Sequence, residues 1–532
     1  MRNTFRQAGI SRQGARASAA NQAQASSTPS PVGGWDAISP IAAMPPQNAV
    51  TLANWFPQPG YVELRRGFIE HCDTATGGPV ETLMGYQAPD ATLNALLAAS
   101  AGDIFIVTGS TPVSVGSGFS NNRWQSVNFI TSGGAFRWMC NGDDTPQVYN
   151  GATLTPTVIT GVTPEDMIDV TIYKSRLWTV MRDSTVAAYL PLDSIQGAAT
   201  EFDVGTYFRN GGYLSTIGTW STDTNDGPNE FIAFISQYGD VAIFQIGDPG
   251  NPAEVNYLGT SSISTPIGRR CLSKIGSDLG IITIDGVLPL SNILSYDKAA
   301  LIGASITKNI RQAMTNSARE FSANFGWQLI SYPRNTMAIL NVPLVENITQ
   351  DQYVMNTITG AWGRFEGQNG SCWEVFEDRA YFGGNDGIVR LADEAAGDEN
   401  QTLRADMRCA FNYYGERGRE KRWTMIRPNI TIDTTFPVLP QMGLNVDFGE
   451  NAEMSPVEFD TGAEIAVWDQ SLWDEAQWPG TSTQANWFSI GGMGYCSSVR
   501  MTVEIPWSED LFAARELKVN GFDIIYAYGA FI

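Results

Sequence analysis

The sequence predicts an all-β protein, with a β-propeller-like body of serial hairpins followed by a C-terminal antiparallel β unit of sandwich type. Three observations favour this class. The 532 residues include 53 Gly and 27 Pro, and 11% are aromatic while only 17% are charged. Apolar runs end repeatedly at Gly-containing turns, and helical periodicity is rare. A chain of this length exceeds the size of one hydrophobic core, so two or more folded units are expected.

Residues 1–32 are predicted to form a basic, flexible N-terminal arm. The arm contains Arg2, Arg6, Arg12 and Arg16 but no acidic residue, and it continues in Ala, Gln and Ser. Two interpretations stay open: a disordered tail, or an arm that orders against an acidic surface of a partner subunit. The four arginines are the candidate partner-docking residues.

Residues 33–400 are predicted to form the propeller-like body. Six hairpins are predicted. In five the turn contains Gly: residues 103–108 turning at Gly109, 231–235 with 241–244, 280–284 turning at Gly286, 353–355 with Trp362, and 379–382 with 388–390; the sixth joins 176–180 to 186–190. Gly with Asp or Asn supplies the positive φ angles of tight hairpins. Serial hairpins suit propeller blades, although a large sandwich or several small barrels would fit the local pattern nearly as well.

One helix is expected within residues 297–315, where Leu301, Ile302 and Ile306 recur at near-helical spacing and would connect two blades. The acidic, turn-rich stretch 391–400 predicts a domain boundary near residue 400. Beyond it, residues 401–532 contain short alternating runs at 430–433, 444–448 and 500–505, which predict the second β unit.

Charge and cysteine usage bound the functional classes. Lys and Arg total 33 against 55 Asp and Glu, a formal net charge of −22, so nucleic acid is repelled at long range. The single histidine, His71, is expected to end a strand over residues 61–70. No apolar signal peptide or membrane span is expected. Six widely spaced cysteines are predicted to be buried thiols made in a reducing cytosol: Cys72, Cys140, Cys271, Cys372, Cys409 and Cys496.

Two local clusters each have two interpretations. The densest basic segment outside the arm is residues 416–422, with Arg417, Arg419, Lys421 and Arg422. It is either a solvated hairpin with internal ion pairs or a contact to DNA phosphates or a neighbouring subunit. The aromatic group Trp468, Trp473, Trp478 and Trp487 is compatible with core and inter-subunit packing or with a carbohydrate-stacking surface.

The motifs of common enzymes are absent from the sequence. It contains no phosphate-binding G-x-x-x-x-G-K-[ST] loop, no H-E-x-x-H helix and no G-x-S-x-G elbow. Residues 223–230 imitate a calcium loop, but Gly227 stands one place too early. We therefore expect no enzyme activity, no cofactor and no metal. A glycosidase-like carboxylate pair is defined by separation in space, so a glycan-binding or depolymerase protein remains the alternative.

Several stretches taken together resemble the tail nozzle (tail tubular or tail-stabilisation) proteins of short-tailed bacteriophages. They comprise Gly33-Gly-Trp-Asp36, Met44-Pro-Pro-Gln-Asn48, Asn54-Trp-Phe-Pro57, Leu64-Arg-Arg-Gly67, Asn141-Gly-Asp-Asp-Thr-Pro146, Tyr149-Asn-Gly151, Tyr173-Lys-Ser-Arg-Leu-Trp178, Ala188-Tyr-Leu-Pro191, Gly211-Gly212 with Trp220, Asp285-Gly-Val-Leu-Pro289, residues 353–362 and Tyr381-Phe-Gly-Gly384. The resemblance runs from about residue 33 to 425.

The resemblance implies a structural virion protein with a propeller-like fold, made in the host bacterial cytoplasm. It implies a ring, expected to be a homohexamer, that docks below the portal and its adaptor ring and serves in genome retention and ejection. The implied partners are further copies of the chain, the head-to-tail adaptor, tail fibres or a tail needle, and double-stranded DNA passing without sequence recognition. It implies no catalytic residues. For ring closure, the basic segment 416–422 and the acidic stretch 393–399 are candidate complementary patches.

Overall fold

The computed structural model describes residues 23–224, 227–276, 278–293, 298–433, 438–450, 452–457, 481–483, 486–508 and 516–529. Strands dominate these residues, and most belong to small antiparallel sheets. They form two domains: a propeller over residues 67–395, and a sandwich built from strands on both sides of it. The predicted all-β, propeller-like class is confirmed.

The chain begins with five strands that lie outside the propeller: β1 (Gln24–Pro29), β2 (Gly34–Trp35), β3 (Asn48–Ala53), β4 (Trp55–Gln58) and β5 (Tyr61–Leu64). The next strand, β6 (Gly67–Asp73), enters the propeller. All later strands up to residue 395 follow in blade order.

Within the described residues the propeller has seven blades. Blade 1 consists of β7 (Val80–Tyr86), β8 (Ala95–Ser100), β9 (Asp103–Ile106) and β10 (Val113–Gly116). Blade 2 consists of β11 (Gln125–Thr131), β12 (Gly134–Cys140), β13 (Gln147–Tyr149) and β14 (Leu154–Pro156). A short parallel pair, β15 (Ile159–Thr160) with β19 (Gly197–Ala198), flanks blade 3, which consists of β16 (Met167–Tyr173), β17 (Arg176–Met181), β18 (Val186–Tyr189) and β20 (Thr200–Asp203).

The remaining blades follow the same up-and-down order. Blade 4 consists of β21 (Leu214–Thr224), β22 (Gly227–Ser236), β23 (Asp240–Ile246) and β24 (Val255–Ser262). Blade 5 consists of β25 (Leu272–Ile275), β26 (Asp278–Thr283) and β27 (Gly286–Pro289). Blade 6 consists of β28 (Gln328–Tyr332), β29 (Met337–Val345), β30 (Thr349–Asn356) and β31 (Trp362–Phe365). Blade 7 consists of β32 (Gly370–Phe376), β33 (Arg379–Gly384), β34 (Ile388–Ala395) and β6.

The predicted hairpins are all present as adjacent antiparallel strands. The turn before Asp240 places Gly239 at φ +85°, and the turn before Ile388 places Gly387 at φ +87°. These left-handed conformations favour glycine because it lacks a Cβ atom. The turn residues in the sequence therefore located the hairpins correctly.

The propeller closes because its first and last strands share one blade. β6 pairs antiparallel with β34, with Ile69 opposite Leu391 and Phe68 opposite Ala392. A shared core of blades 1 and 7, including Leu83 and Phe376, seals the seam. Closure of this kind leaves only short edges exposed.

The predicted helix between two blades is present as two helices, α1 (Lys298–Gly303) and α2 (Arg311–Phe321). The break arises because Ile306 donates its backbone N–H to Val287 O at 3.0 Å and Thr307 Oγ1 accepts from Val287 N at 3.1 Å. The segment thus caps the edge of the three-stranded blade 5. Of the helices in the described ranges, none combines the length and apolar content needed to cross a membrane.

The second domain is a sandwich of two sheets. Its later strands are β35 (Leu403–Cys409), β36 (Lys421–Asp433), β37 (Gln441–Val446), β38 (Ser455–Pro456), β39 (Thr481–Thr483), β40 (Phe488–Gly494), β41 (Ser497–Ile505) and β42 (Leu517–Tyr528). One sheet contains β3, β35, β41, β37 and β38, with β2 beside β3, and it continues into blade 6 because β3 also pairs with β31 at Ala53 and Arg364. The other contains β4, β5, β42, β36, β39 and β40, with β1 beside β42. Side chains of both sheets share one core, which includes Leu52, Met407 and Met501 from one sheet and Trp55, Trp423 and Phe522 from the other.

The sandwich includes strands that lie before residue 400, so its extent differs from the domain boundaries predicted at residues 32 and 400. β1, which lies in the predicted flexible arm, pairs with β42 from Gln24 opposite Tyr526 to Pro29 opposite Gly521. β2 to β5, which lie in the predicted body, also belong to the sandwich. The propeller is therefore an insertion in a discontinuous domain. Local patterns cannot show this, because the pairing joins residues almost 500 positions apart.

Candidate functional site

A cavity of about 290 Å³ lies on the propeller axis. The first strand of every blade contributes to its wall, from Thr82 of β7 to Glu374 of β32. The wall is polar and charged. Its ionisable side chains are Arg137, Arg269, Arg270, Lys274, Asp169 and Glu374, and we call this space the axial cavity.

Arg270 crosses the axial cavity from blade 5 to blades 1 and 2. Its Nη1 donates to Glu81 O at 3.0 Å, and its Nη2 donates to Thr82 Oγ1 at 2.6 Å and to Trp124 O at 3.2 Å. Arg137 similarly donates to Gly85 O and Ser126 Oγ, both at 3.1 Å. Burial lowers the pKa of both guanidinium groups. Arg270 thus joins blade 5 to blades 1 and 2 across the axis, and Arg137 joins blade 2 to the adjacent blade 1.

The two carboxylates of the axial cavity are also perturbed. Burial raises the pKa of Asp169 to about 6, against hydrogen bonds from Thr216 Oγ1 at 2.6 Å and Val170 N at 2.9 Å. Burial likewise raises the pKa of Glu374, and nearby Arg137 opposes the shift. Both groups bind protons more readily than exposed carboxylates.

We expect the protein to be more stable at pH 5 than at pH 7.5. Burial raises the pKa of Asp351 and Asp393, like that of Asp169, to about 6. The folded state therefore binds more protons than the unfolded state between about pH 4 and pH 6, and stability falls as pH rises through this window. For Asp169, 9% exposed, the loss is up to about 3 kcal/mol. Below about pH 4, stability decreases again because the pKa of Asp36 and Asp386 is lowered in the folded state.

Urea unfolding at pH 5 and pH 7.5 measures this difference. Asp169→Asn should reduce it, whereas Asp183→Asn, at an exposed turn, should leave it unchanged. Equal stability at the two pH values in the unaltered protein would contradict the expectation.

The basic segment 416–422 has the internal ion pair that one interpretation predicted, between Arg419 and Glu416, but Lys421 is not in solvent. Lys421 is fully buried, and its Nζ donates to Glu416 O, Arg419 O and Tyr495 O at 2.5–3.1 Å. Arg419 lies over the ring of Tyr528 at 4.3 Å and pairs with Glu416. The prediction that Lys421 contacts DNA or a neighbouring subunit is therefore wrong, because three carbonyl groups already hold its ammonium group inside the fold.

Arg417 and Arg422 remain exposed and lie at one end of the sandwich. Lys421 pairs with Tyr528 of β42, and β1 begins beside Tyr526 of the same strand. We call this region the basic end. The residues Arg2, Arg6, Arg12 and Arg16 lie outside the described residues, but the first described strand of the chain starts at the basic end.

The acidic stretch 393–399 is partly committed to contacts within the chain, and its Asp398 cannot contribute to a ring-closing patch. Its first residues belong to β34, and Asp398 is buried in an ion pair with Arg65. Asp393 accepts a hydrogen bond from Asn335 and is half-buried. These carboxylates are used within the chain.

The remaining candidates from the sequence are the six cysteines, His71, the tryptophan group and residues 223–230. All six cysteines are buried thiols, as predicted. His71 Nε2 lies 2.9 Å from Val107 O, and its ring contacts Tyr381. Trp487 packs against Arg427, whereas Trp468, Trp473 and Trp478 lie outside the described residues. Residues 223–230 span the hairpin of β21 and β22, but residues 225 and 226 of this hairpin also lie outside the described residues.

Four of the stretches with which the sequence resembled a family meet at the junction of the two domains, namely 33–36, 54–57, 64–67 and 353–362. Trp35 contacts the ring of Tyr353 at 5.4 Å, edge to face. Asn54 N donates to Arg364 O at 2.7 Å, and Asn54 Oδ1 accepts from Arg65 Nε at 2.7 Å. Gly34 leaves no room for a Cβ atom, which would lie 2.5 Å from Trp362 O. These four stretches thus share one structural role, whereas most of the other stretches lie within the blades.

Sequence reasoning did not identify the axial cavity. The adjacent pair Arg269 and Arg270 between two apolar runs was a usable signal, since paired cations rarely lie inside a fold. Arg137, Lys274, Asp169 and Glu374 carried no such signal, because they are isolated charges in strand patterns.

Comparison with known proteins is limited to distant structural likeness. No family model matches the chain, and no curated protein matches it. A solved structure of BBS1N in complex with ARL6DN, soaked with mercury, has a TM-score of 0.38 and 11% identity and covers 62% of this chain and 98% of that chain. A computationally designed protein, Ika8, has a TM-score of 0.34 and 10% identity and covers 61% of this chain and 99% of that chain.

Proposed function

We propose that this chain is a structural virion protein, the tail nozzle of a short-tailed bacteriophage. The observation that carries the proposal is the junction: the short motifs that resemble this family are spread over some 350 residues of sequence, yet several meet at the contact between sandwich and propeller. Seven of the twelve stretches lie in the blades, so the proposal rests on the stretches at the junction, which are 33–36, 54–57, 64–67 and 353–362. Their meeting in the fold favours a common two-domain architecture.

In the proposed ring, DNA passes between subunits and not through the propeller. The axial cavity holds about 290 Å³ and is crossed by Arg270, so a duplex cannot enter it. The formal charge of −22 per chain disfavours adhesion to phosphates along the ring channel. This suits genome retention followed by ejection.

The basic end is the proposed docking surface for the head-to-tail adaptor. The exposed Arg417 and Arg422 lie where β1 begins, and the four arginines of the arm precede β1 in the sequence. A local positive surface on an acidic protein gives orientation and fast association with an acidic partner. Tail fibres or a needle would contact other surfaces.

We expect the purified protein to form a closed ring. Six copies of 57.9 kDa would give a particle of about 347 kDa. Native mass spectrometry gives the stoichiometry, and negative-stain images show ring closure. A monomer at micromolar concentration, in the presence and absence of the adaptor, would overturn the proposal.

The glycan-binding or depolymerase alternative has one specific observation in its favour. Asp169 and Glu374 are two carboxylates with raised pKa in one cavity, which is the environment of a general acid. Release of oligosaccharide from host polysaccharide, abolished in both Asp169→Asn and Glu374→Gln, would favour this alternative over the nozzle.

A further inference from the structure

The connection between β2 and β3 exposes a continuous run of apolar side chains. Residues 37–46 contain no ionisable side chain, although the chain carries a formal charge of −22. Ile38 and Ile41 are 48% and 44% exposed. The other exposed apolar residues beside them are Pro40, Ala42, Ala43, Pro45 and Pro46. Single exposed apolar side chains are ordinary, whereas contiguous ones mark contacts with a partner. We call residues 37–46 the apolar loop.

The apolar loop is held in place where it begins. Asp36 Oδ1 accepts hydrogen bonds from Ile38 N at 3.0 Å and from Ser39 N at 2.9 Å. Ala37 N donates to Asn309 O at 3.1 Å. Three prolines within the loop restrict its φ angles further. A fixed loop loses little conformational entropy when a partner covers it, so its exposed side chains suit a protein contact.

A second exposed apolar surface lies on blades 2 and 3. Its side chains are each more than half exposed, and they are Ile130, Val158 and Leu192. The connection between β18 and β20, which contains Leu192, contacts the elements that contain the other two. Ser132 N, in the hairpin of Ile130, donates to Asp193 Oδ2 at 3.1 Å, and Gly197 N donates to Val158 O at 2.9 Å. We call these three residues the blade 2–3 patch.

The two apolar surfaces lie on opposite sides of the propeller. Gly34, just before the apolar loop, lies against Trp362 of blade 6, and Asn309, which binds the loop, lies between the helices that follow blade 5. In the order of the blades, blade 4 separates this region from blades 2 and 3 in one direction, and blades 7 and 1 separate it in the other. A head-to-tail ring requires two different patches per subunit, one for each neighbour.

We propose that the apolar loop of one copy docks onto the blade 2–3 patch of the next copy, and that repetition of this contact closes the ring. The proposal rests on the nozzle function proposed above, because it names the surfaces that form the nozzle ring. Charge favours a second copy as the occupant. Copies that each carry −22 repel one another, so their contacts favour uncharged surfaces such as the apolar loop. A charged partner protein would instead select a charged surface such as the basic end.

Native mass spectrometry of the full chain at micromolar concentration tests the assignment. Ile41→Glu and Leu192→Glu each place a carboxylate in one of the two surfaces. Each should raise the concentration at which the ring dissociates by at least about a hundredfold, because a charge buried in an apolar contact is costly. Val113→Glu is the matched control: Val113 is also more than half exposed, but it lies on β10 of blade 1, outside both surfaces. This variant should assemble like the unaltered protein.

A mixture of the two variants distinguishes head-to-tail contacts from symmetric ones. Each variant retains one intact surface, so each should be a monomer alone, while an equimolar mixture should form a dimer that contains one copy of each. Two copies of 57.9 kDa give about 116 kDa, and isotope labelling of one variant identifies the mixed dimer. Symmetric pairing of like surfaces would instead give dimers of a single variant and would overturn the proposal.

The failure of this assignment can be separated from the failure of the nozzle function. Rings of unaltered stability in both variants would overturn the two surfaces while the ring itself stands. A monomeric unaltered protein would overturn both proposals. Circular dichroism checks that each variant is folded, and Ile41→Ser with Leu192→Ser replaces any glutamate variant that is not.

Discussion

Asp398→Asn is expected to reduce the free energy of unfolding by about 3–5 kcal/mol. Arg65 and Asp398 are each 1% exposed and form a bidentate ion pair at 2.6 and 2.7 Å. Arg65 also donates to Asn54 Oδ1, Arg66 O and Glu366 O at 2.7–3.1 Å. All five donors of the guanidinium are used, so loss of the carboxylate leaves a buried charge without its counterion.

The position of this pair enlarges the effect. Arg65 lies between β5 and β6, and Asp398 lies between β34 and β35. These are the two connections between sandwich and propeller, so one ion pair joins both crossings of the chain. Loss of the pair should weaken the coupling of the two domains as well as their stability.

Urea unfolding followed by tryptophan fluorescence and circular dichroism measures the change. Arg404→Gln removes an exposed pair, 75% and 67% exposed in its two side chains, and should cost less than about 1 kcal/mol. In the double variant Arg65→Met with Asp398→Leu, much of the stability should return, since no unpaired charge remains. A loss in Asp398→Asn as small as in the control would refute the role assigned to the pair.

The local part of the fold could be predicted from the sequence, and the long-range part could not. Turn glycines and alternating apolar residues located the hairpins, because their causes lie within a few residues. Two results depended on distant pairing: β6 completes blade 7, and β1 joins β42. Neither strand differs in composition from its neighbours, so no local signal assigned it to its sheet.

The same distinction applies to the candidate sites. The segment 416–422 was visible as a charge cluster, but burial decided the role of Lys421, whose ammonium is surrounded by carbonyl groups. The axial cavity was invisible because its six charged residues come from four blades, with Arg269, Arg270 and Lys274 from blade 5 and one residue each from blades 2, 3 and 7. A site whose residues are brought together by closure of the propeller has no characteristic spacing in the sequence.

Gly67→Ala is expected to open the closure of the propeller, at a cost of about 3 kcal/mol or more. Gly67 is the first residue of β6 and pairs with Ala395 of β34. A Cβ atom at Gly67 would overlap the backbone carbonyl of Gly397 and lie 2.9 Å from Asp398 N. Overpacking against side chains costs about 1–3 kcal/mol because they can move, whereas these neighbours are backbone atoms held by the adjacent pair of Arg65 and Asp398.

Gly397 and Asp398 follow the end of β34 at Ala395, so relief of this overlap requires the start of β6 to move away from that connection, and this movement exposes the core between blades 7 and 1, including Cys72, Leu83 and Phe376. Hydrogen exchange of the β6 and β34 amides should therefore accelerate more than that of blade 3, and the thiol of Cys72 should become reactive towards alkylating reagents. Gly109→Ala is the control, since a Cβ atom there meets no atom within 4 Å and its exchange should match the unaltered protein. Unchanged stability and unchanged exchange in β6 of Gly67→Ala would show that β6 does not close the propeller at Gly67, because an added methyl group cannot fit there unless β6 moves away from Gly397 and Asp398.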